Sequence, residues 1–176
     1  MAARISEHRL KSKAGGLTKP RNHAGARTMR ARARTASSGA AARKSNPQAV
    51  RIVAKDAPGR MANHVHRFAQ GWRLDRLVFT GGIAAEDPKT GKLVGSDIVT
   101  QAERVFQTLR AILEEAGSSL DKVLKVNVFF VDFADKARFE TVYGKYFPKN
   151  RPGRTSVTVT KIGIGTLLEV DAIAYV

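Results

Sequence analysis

Four stretches of this chain carry the alternating pattern of β-strands and two carry the spacing of amphipathic helices. Along Arg154–Thr160, Val157 and Val159 alternate with Arg154, Ser156 and Thr158, as in a half-buried strand. Along Leu167–Ala174, Leu168, Val170, Ala172 and Ala174 share one face, and Leu167, Glu169, Asp171 and Ile173 share the other. A Gly-containing loop, Lys161–Thr166, joins the two. Val123–Val131 is the most apolar stretch, with Leu124, Val126, Val128 and Phe130 on one face and Val123, Phe129 and Val131 on the other. It has to be covered on both sides. Leu77–Ala84 reads as a further strand, followed by the turn AEDPKTGKLVG, in which Asp87-Pro88 initiates and Gly91 adopts a positive φ.

Between these strands, Ile98, Ala102, Val105, Phe106, Leu109, Ile112, Leu113 and Ala116 form a helical stripe. Ser96 or Asp97 caps its start and Gly117 lies just past its end. Ala134–Phe147 is a second amphipathic helix, carrying Phe139, Val142, Tyr143, Tyr146 and Phe147. The strand–helix–strand–helix–strand order predicts an α+β fold, a mixed sheet with two helices on one face. The other face stays uncovered although its central strand is apolar, so the pattern predicts an oligomer.

Composition divides the chain in two. The net charge of +16 is concentrated in residues 1–60, which hold 15 Lys/Arg and 2 acids; residues 61–176 carry a net of only +3. Residues 1–50 contain no aromatic residue and are rich in Ala, Arg, Ser and Gly, so they are expected to form a disordered basic tail ahead of a domain spanning 51–176. Three readings fit that tail: an organelle transit peptide, a nucleic-acid-binding arm built on MRARAR, or a solvated extension upstream of a start at Met29 or Met61. The absence of cysteine excludes disulfides and thiolate chemistry and suits a reducing compartment such as the cytoplasm. No apolar run approaches the roughly 18 residues of a membrane span, and no hydrophobic signal core is present.

Motif chemistry is sparse. Glycine-rich nucleotide loops, metal-ligand clusters and Ser/His/Asp arrangements are missing. His64 and His66 form an HxH pair with both rings on one strand face, which without a third ligand is a surface pair more often than a metal site. No cofactor is expected. Two features remain. Gly81-Gly82 interrupts a strand, which calls for a β-bulge or for close approach of a ligand or backbone. Arg154, Glu169 and Asp171 sit inside otherwise apolar strands, where charged groups are costly unless paired or used. A plain hairpin between the last two strands would put Arg154 opposite Ile173 and Glu169 opposite Thr158, roughly 13 Å apart along the strand, far enough to bracket a small molecule.

The segment from Pro152-Gly153-Arg154 through LLEVDAIA, together with VFTGGIAAEDPKTGKLVG and QAERVFQTLRAILEEAGSSLDKVLKVNVFFVDFADKARFETVYGKYF, resembles the RidA/YjgF family of small enamine/imine deaminases from about Arg51 onward. The resemblance implies a chorismate-mutase-like homotrimer with its sites between subunits. It implies that Arg154 binds the substrate carboxylate, that Glu169 positions the water, and that Gly82 and Thr155 add backbone contacts. The reaction implied is hydrolysis of a 2-imino or enamine acid to a 2-oxo acid and ammonia. Four positions depart from the family's usual residues: Phe68 stands for Tyr, Gly81 for Ser, Glu140 for Asn and Ser156 for Cys. Twelve positions separate Pro58 from Gln70, where the family has fewer. A structural ion-pair network of Arg154 and Glu169 across the trimer interface is the competing reading. At the level of function, a non-catalytic sensor of small carboxylates and an RNA-binding or RNA-cleaving protein are the alternatives. A mitochondrial or plastid location is the alternative to the cytoplasm should the tail be a transit peptide.

Overall fold

The computed structural model describes residues 48–57 and 68–176. Most of the basic tail and the His64/His66 pair lie outside the described residues. Among the described residues, six strands form one sheet: β1 (Ala49–Ile52), β2 (Gly71–Leu74), β3 (Leu77–Thr80), β4 (Val123–Phe130), β5 (Gly153–Thr158) and β6 (Leu168–Tyr175). Their spatial order is β1-β2-β3-β6-β4-β5. Helix α1 (Ile98–Glu115) and helix α2 (Lys136–Tyr146) complete the α+β fold expected from the pattern. β1 begins at Ala49, before the expected boundary at residue 51, and β1 and β2 are additions to the expected strands. Both are only four residues long, too short for alternation to stand out.

Asp97 caps α1, its carboxylate accepting from the N–H groups of Val99 (3.0 Å) and Thr100 (3.2 Å). Gly117, at φ +80°, turns the chain away beyond the helix end. In the turn after β3, Asp87 Oδ1 accepts from the N–H of Lys89 and Thr90, and Gly91 takes φ +67° as expected. The stripe of α1 packs on the inner sheet face formed by Val78, Val126, Val128, Phe130, Leu168, Val170, Ala172 and Ala174, all buried. Phe106 is the hub between the helices, its ring lying 5.1–5.9 Å from those of Phe139, Tyr143, Tyr146 and Phe147. Buried Gln101 braces the β5–β6 loop, accepting from Leu167 N (2.7 Å) and Thr166 Oγ1 (3.1 Å).

Three expectations change. The last two strands do not form a hairpin. α2 is the crossover of a β4–α2–β5 unit, so β5 lies parallel to β4 at the sheet edge, while β6 runs antiparallel on β4's other side, between β4 and β3. Next, a register shift between Val123 and Lys125 turns Val123 inward (5% exposed) and Leu124 outward (50%), reversing the expected assignment of those two residues. Finally, β5 ends at Thr158 and its apolar Val157 faces outward, while Arg154 and Ser156 lie on the helix side.

Neither described helix covers the outer face. Trp72, Leu74, Leu77 and Phe79 lie on it beside Ile173 and Tyr175, and Val157 continues it on β5. Phe106 of α1 meets the rings of Phe139, Tyr143 and Tyr146 of α2. Phe106→Ala is therefore expected to cost about 3–5 kcal/mol of stability, read as a lower midpoint in urea unfolding.

Candidate functional site

Strand alternation separates the residues that the sequence singles out. Arg154 pairs with Val126 and points to the helix side; Glu169 pairs with Phe129 on the opposite side of β4 and points to the outer face. Two strand spacings and three residues separate them, roughly 14 Å between their backbones. Within one chain they do not form a pair. The hairpin geometry expected from the sequence is replaced.

Around Glu169 the chain forms a cavity of about 320 Å³. Phe68, Ala69, Gln70, Gly82, Ile83, Glu86, Thr108, Ile164 and Glu169 are among the residues lining it. β3 stops at Thr80, and Gly81 donates its N–H to the carbonyl of Gln70 (2.8 Å). Ile83 then resumes pairing as an isolated bridge to Val170. At Gly82 a Cβ would lie 2.7 Å from Glu169 Cδ, so a side chain there would displace the carboxylate. The double glycine thus marks both a break in strand pairing and the close approach of a carboxylate. Burial, and secondarily the charge of Asp171, push the Glu169 carboxyl above the ordinary glutamate range.

Phe68 borders this cavity and is 84% exposed. Gln70, two residues on, is structural: its amide donates to the carbonyls of Ala54 (3.3 Å) and Ala57 (3.1 Å) and accepts from Ala54 N (2.6 Å). A second opening of about 270 Å³ shares Glu169 and Gly163 and extends to Phe129, Val159, Lys161 and Ile162. On the same outer face, Asn127 Nδ2 donates to Asp171 Oδ1 (2.7 Å), and Lys125 Nζ donates to Thr155 Oγ1 (2.5 Å).

The second group gathers at the β5 edge, under α2. Arg154 makes a two-pronged ion pair with Glu140, Nη1 to Oε2 at 3.2 Å and Nη2 to Oε1. Its guanidinium carbon lies 4.4 Å from the centre of the Tyr143 ring and 5.8 Å from that of Phe139. Ser156 follows Arg154 on the same side, beside Val128, whereas Thr155 faces outward with Asn127. The eight predicted residues therefore fall into a Glu169 group with Phe68, Gly81 and Gly82, an Arg154 group with Glu140 and Ser156, and Thr155 on the outer face.

Sequence reading missed three contributors. Asn127 is an ordinary polar residue on an alternating strand and carries no signal. Ile164 adopts φ +54° in the cavity-lining loop, a left-handed conformation costly for a β-branched residue. Thr108 Oγ1 borders the cavity, buried and without a hydrogen-bond partner among the described residues. The described residues contain no cluster of three or more metal-ligating side chains.

The sequence model of the family described as Endoribonuclease L-PSP matches residues 58–176. The chain belongs to that family, the RidA/YjgF proteins. A RutC family protein of Pyrococcus abyssi is 40% identical over 108 residues, covering 61% of this chain and 85% of its own. Reactive Intermediate Deaminase A, chloroplastic, of Arabidopsis thaliana is 30% identical over 107 residues, 61% of this chain and 57% of its own. Among solved RidA/YjgF structures, TdcF of E. coli with bound serine superposes with a TM-score of 0.66 at 31% identity, covering 72% of this chain and 98% of that one. All of the predicted site residues fall within the stretch matched to the family.

The raised Glu169 carboxyl has a consequence for stability. Ionisation is less favourable in the folded chain than in the unfolded one. The protonated form therefore contributes stability that is present at acid pH and lost as pH rises through the raised value. Glu169→Gln, which cannot ionise, is expected to be more stable than wild type near pH 7, with the gap narrowing toward pH 4. Urea unfolding across that range checks it.

Proposed function

We propose that this RidA/YjgF chain is a hydrolase that deaminates reactive 2-imino and enamine acids to 2-oxo acids and ammonia. The observation that carries the reading is Glu169, a carboxylate with a raised pKa held in a cavity against the backbone of Gly82. Such a group suits a general base. It takes a proton from water as the oxygen adds to the C=N carbon and passes it to the nitrogen, then takes the hydroxyl proton of the resulting carbinolamine as the C=O forms and passes that to the nitrogen too, which leaves as ammonia. The C–N bond breaks, the C–O bond is made, and no redox partner is needed. The guanidinium of Arg154 is the natural clamp for the substrate carboxylate.

Since Arg154 and Glu169 lie on opposite faces of one sheet, a site using both draws them from two copies. The bare outer face of Trp72, Leu74, Leu77 and Phe79 supports self-association. We assign the assembly as the homotrimer that the family resemblance implies, with Thr155 and Ser156 beside the site and Phe68 at its mouth. No described helix is long and apolar enough to cross a membrane. We take the site of action as the cytoplasm, or an organelle if residues 1–50 act as a transit peptide; one relative's name is chloroplastic.

A second reading is a trimer that binds small carboxylates without turnover. Glu140 already occupies the fork of Arg154, and Phe68 lacks the phenolic hydroxyl, and both observations favour it. A coupled assay on freshly generated 2-aminoacrylate separates the two readings. Arg154→Lys is expected to lower deamination by roughly two orders of magnitude while preserving charge. Arg154→Ala and Glu169→Ala are each expected to be inactive. Mixed in equal amounts and reassembled, they should regain about one quarter of wild-type activity, because one interface in four then holds both intact halves. No recovery on mixing would place both residues in one subunit's site, and a monomer in sedimentation would remove the assembly altogether.

A further inference from the structure

Arg154 is the one cation assigned to the ligand, yet its charge is already balanced. Both terminal nitrogens donate to the two oxygens of Glu140, and the pair is more than half buried, with side chains 21% and 34% exposed. The aromatic face of Tyr143 lies against the guanidinium plane, and Phe139 backs it. Stacking of this kind holds the fork in place, so a ligand carboxylate reaches it only in competition with Glu140. Arg154 is the only cation in a salt bridge with Glu140 among the described residues. Arg151 also acts electrostatically on Tyr143, but it is exposed, so its charge is largely screened.

A ligand carboxylate that takes the fork therefore leaves Glu140 next to a like charge in a partly desolvated place. Two carboxylates then share one guanidinium, and the missing positive charge has to come with the ligand. A ligand with an acidic side chain adds a third negative charge, whereas one with a basic side chain restores neutrality.

We infer that Glu140 sets the ligand charge this site accepts, selecting 2-imino acids with a basic side chain and rejecting those with an acidic one. The inference rests on the proposed function for the role of Arg154 as the carboxylate clamp. It assigns Glu140 as a specificity determinant, without making it a catalytic residue. It also accounts for the departure from the family's usual neutral Asn at this position: a neutral amide leaves the guanidinium charge for the ligand, and Glu140 cancels it.

Binding of stable 2-oxo acids tests this without turnover. Calorimetry on the full chain would compare pyruvate, 2-oxoglutarate and 2-oxo-5-guanidinopentanoate with wild type, Glu140→Gln and Glu140→Asn at one fixed ionic strength. Wild type is expected to bind the guanidino acid most tightly and 2-oxoglutarate most weakly, the extremes differing by about tenfold or more. In the Gln and Asn variants pyruvate should bind about tenfold tighter and the preference for the guanidino acid should disappear. The order within wild type is itself a test should either variant fail to fold. Equal affinities of wild type for the three acids, the same order in wild type and variants, or no binding to any of them would overturn the inference. If the expected order is found but wild type hydrolyses no imine, the deaminase reading fails and the charge selection stands.

Discussion

Side chains on a strand alternate between two faces, and in this sheet α1 and α2 cover only one of them. Everything distinctive about the molecule follows from that constraint acting on β4. Its inner residues Val126, Val128 and Phe130 disappear beneath the helices, while Lys125, Asn127 and Phe129 remain on the outer side. The neighbouring strands inherit the division row by row. Arg154 goes inward with Val126 and meets Glu140 and Tyr143, whereas Glu169 goes outward with Phe129 and meets the backbone of Gly82. The two residues with the most chemistry to offer are therefore presented on opposite faces, and the same outer face that carries Glu169 also carries the uncovered apolar strip. In the proposed function, association through that strip brings the two halves of a site together while burying apolar surface.

The two halves differ in electrostatic character. Glu169 is a carboxylate in no salt bridge among the described residues, raised by burial and by Asp171, so it holds its proton more tightly than an exposed glutamate. Arg154 is a cation whose charge Glu140 already balances. Uncompensated groups of this kind are costly for stability and are common where chemistry is done, while compensated pairs tend to hold structure or filter ligands. The division of labour proposed for the two residues follows that difference.

The sequence by itself determined a good deal. The inner residues of β6, the stripe of α1, the Asp97 cap, the Gly91 turn and the helices' place on one face all follow from short-range periodicity and local hydrogen bonding, which neighbouring residues specify. The double glycine and the out-of-place charges at Arg154 and Glu169 were legible because each violates a local rule. Tertiary structure alone decided which strands pair. Local patterning cannot distinguish a β5–β6 hairpin from a β4–α2–β5 crossover, and choosing the crossover moved Arg154 to the other face from Glu169. It also decided the partners. That Glu140 lies under Arg154, that Gly82 yields to Glu169 and that Leu124 turns outward at a bulge depend on contacts between elements distant in sequence. Such contacts arise only when the helices settle on the sheet, and no period along the chain encodes them.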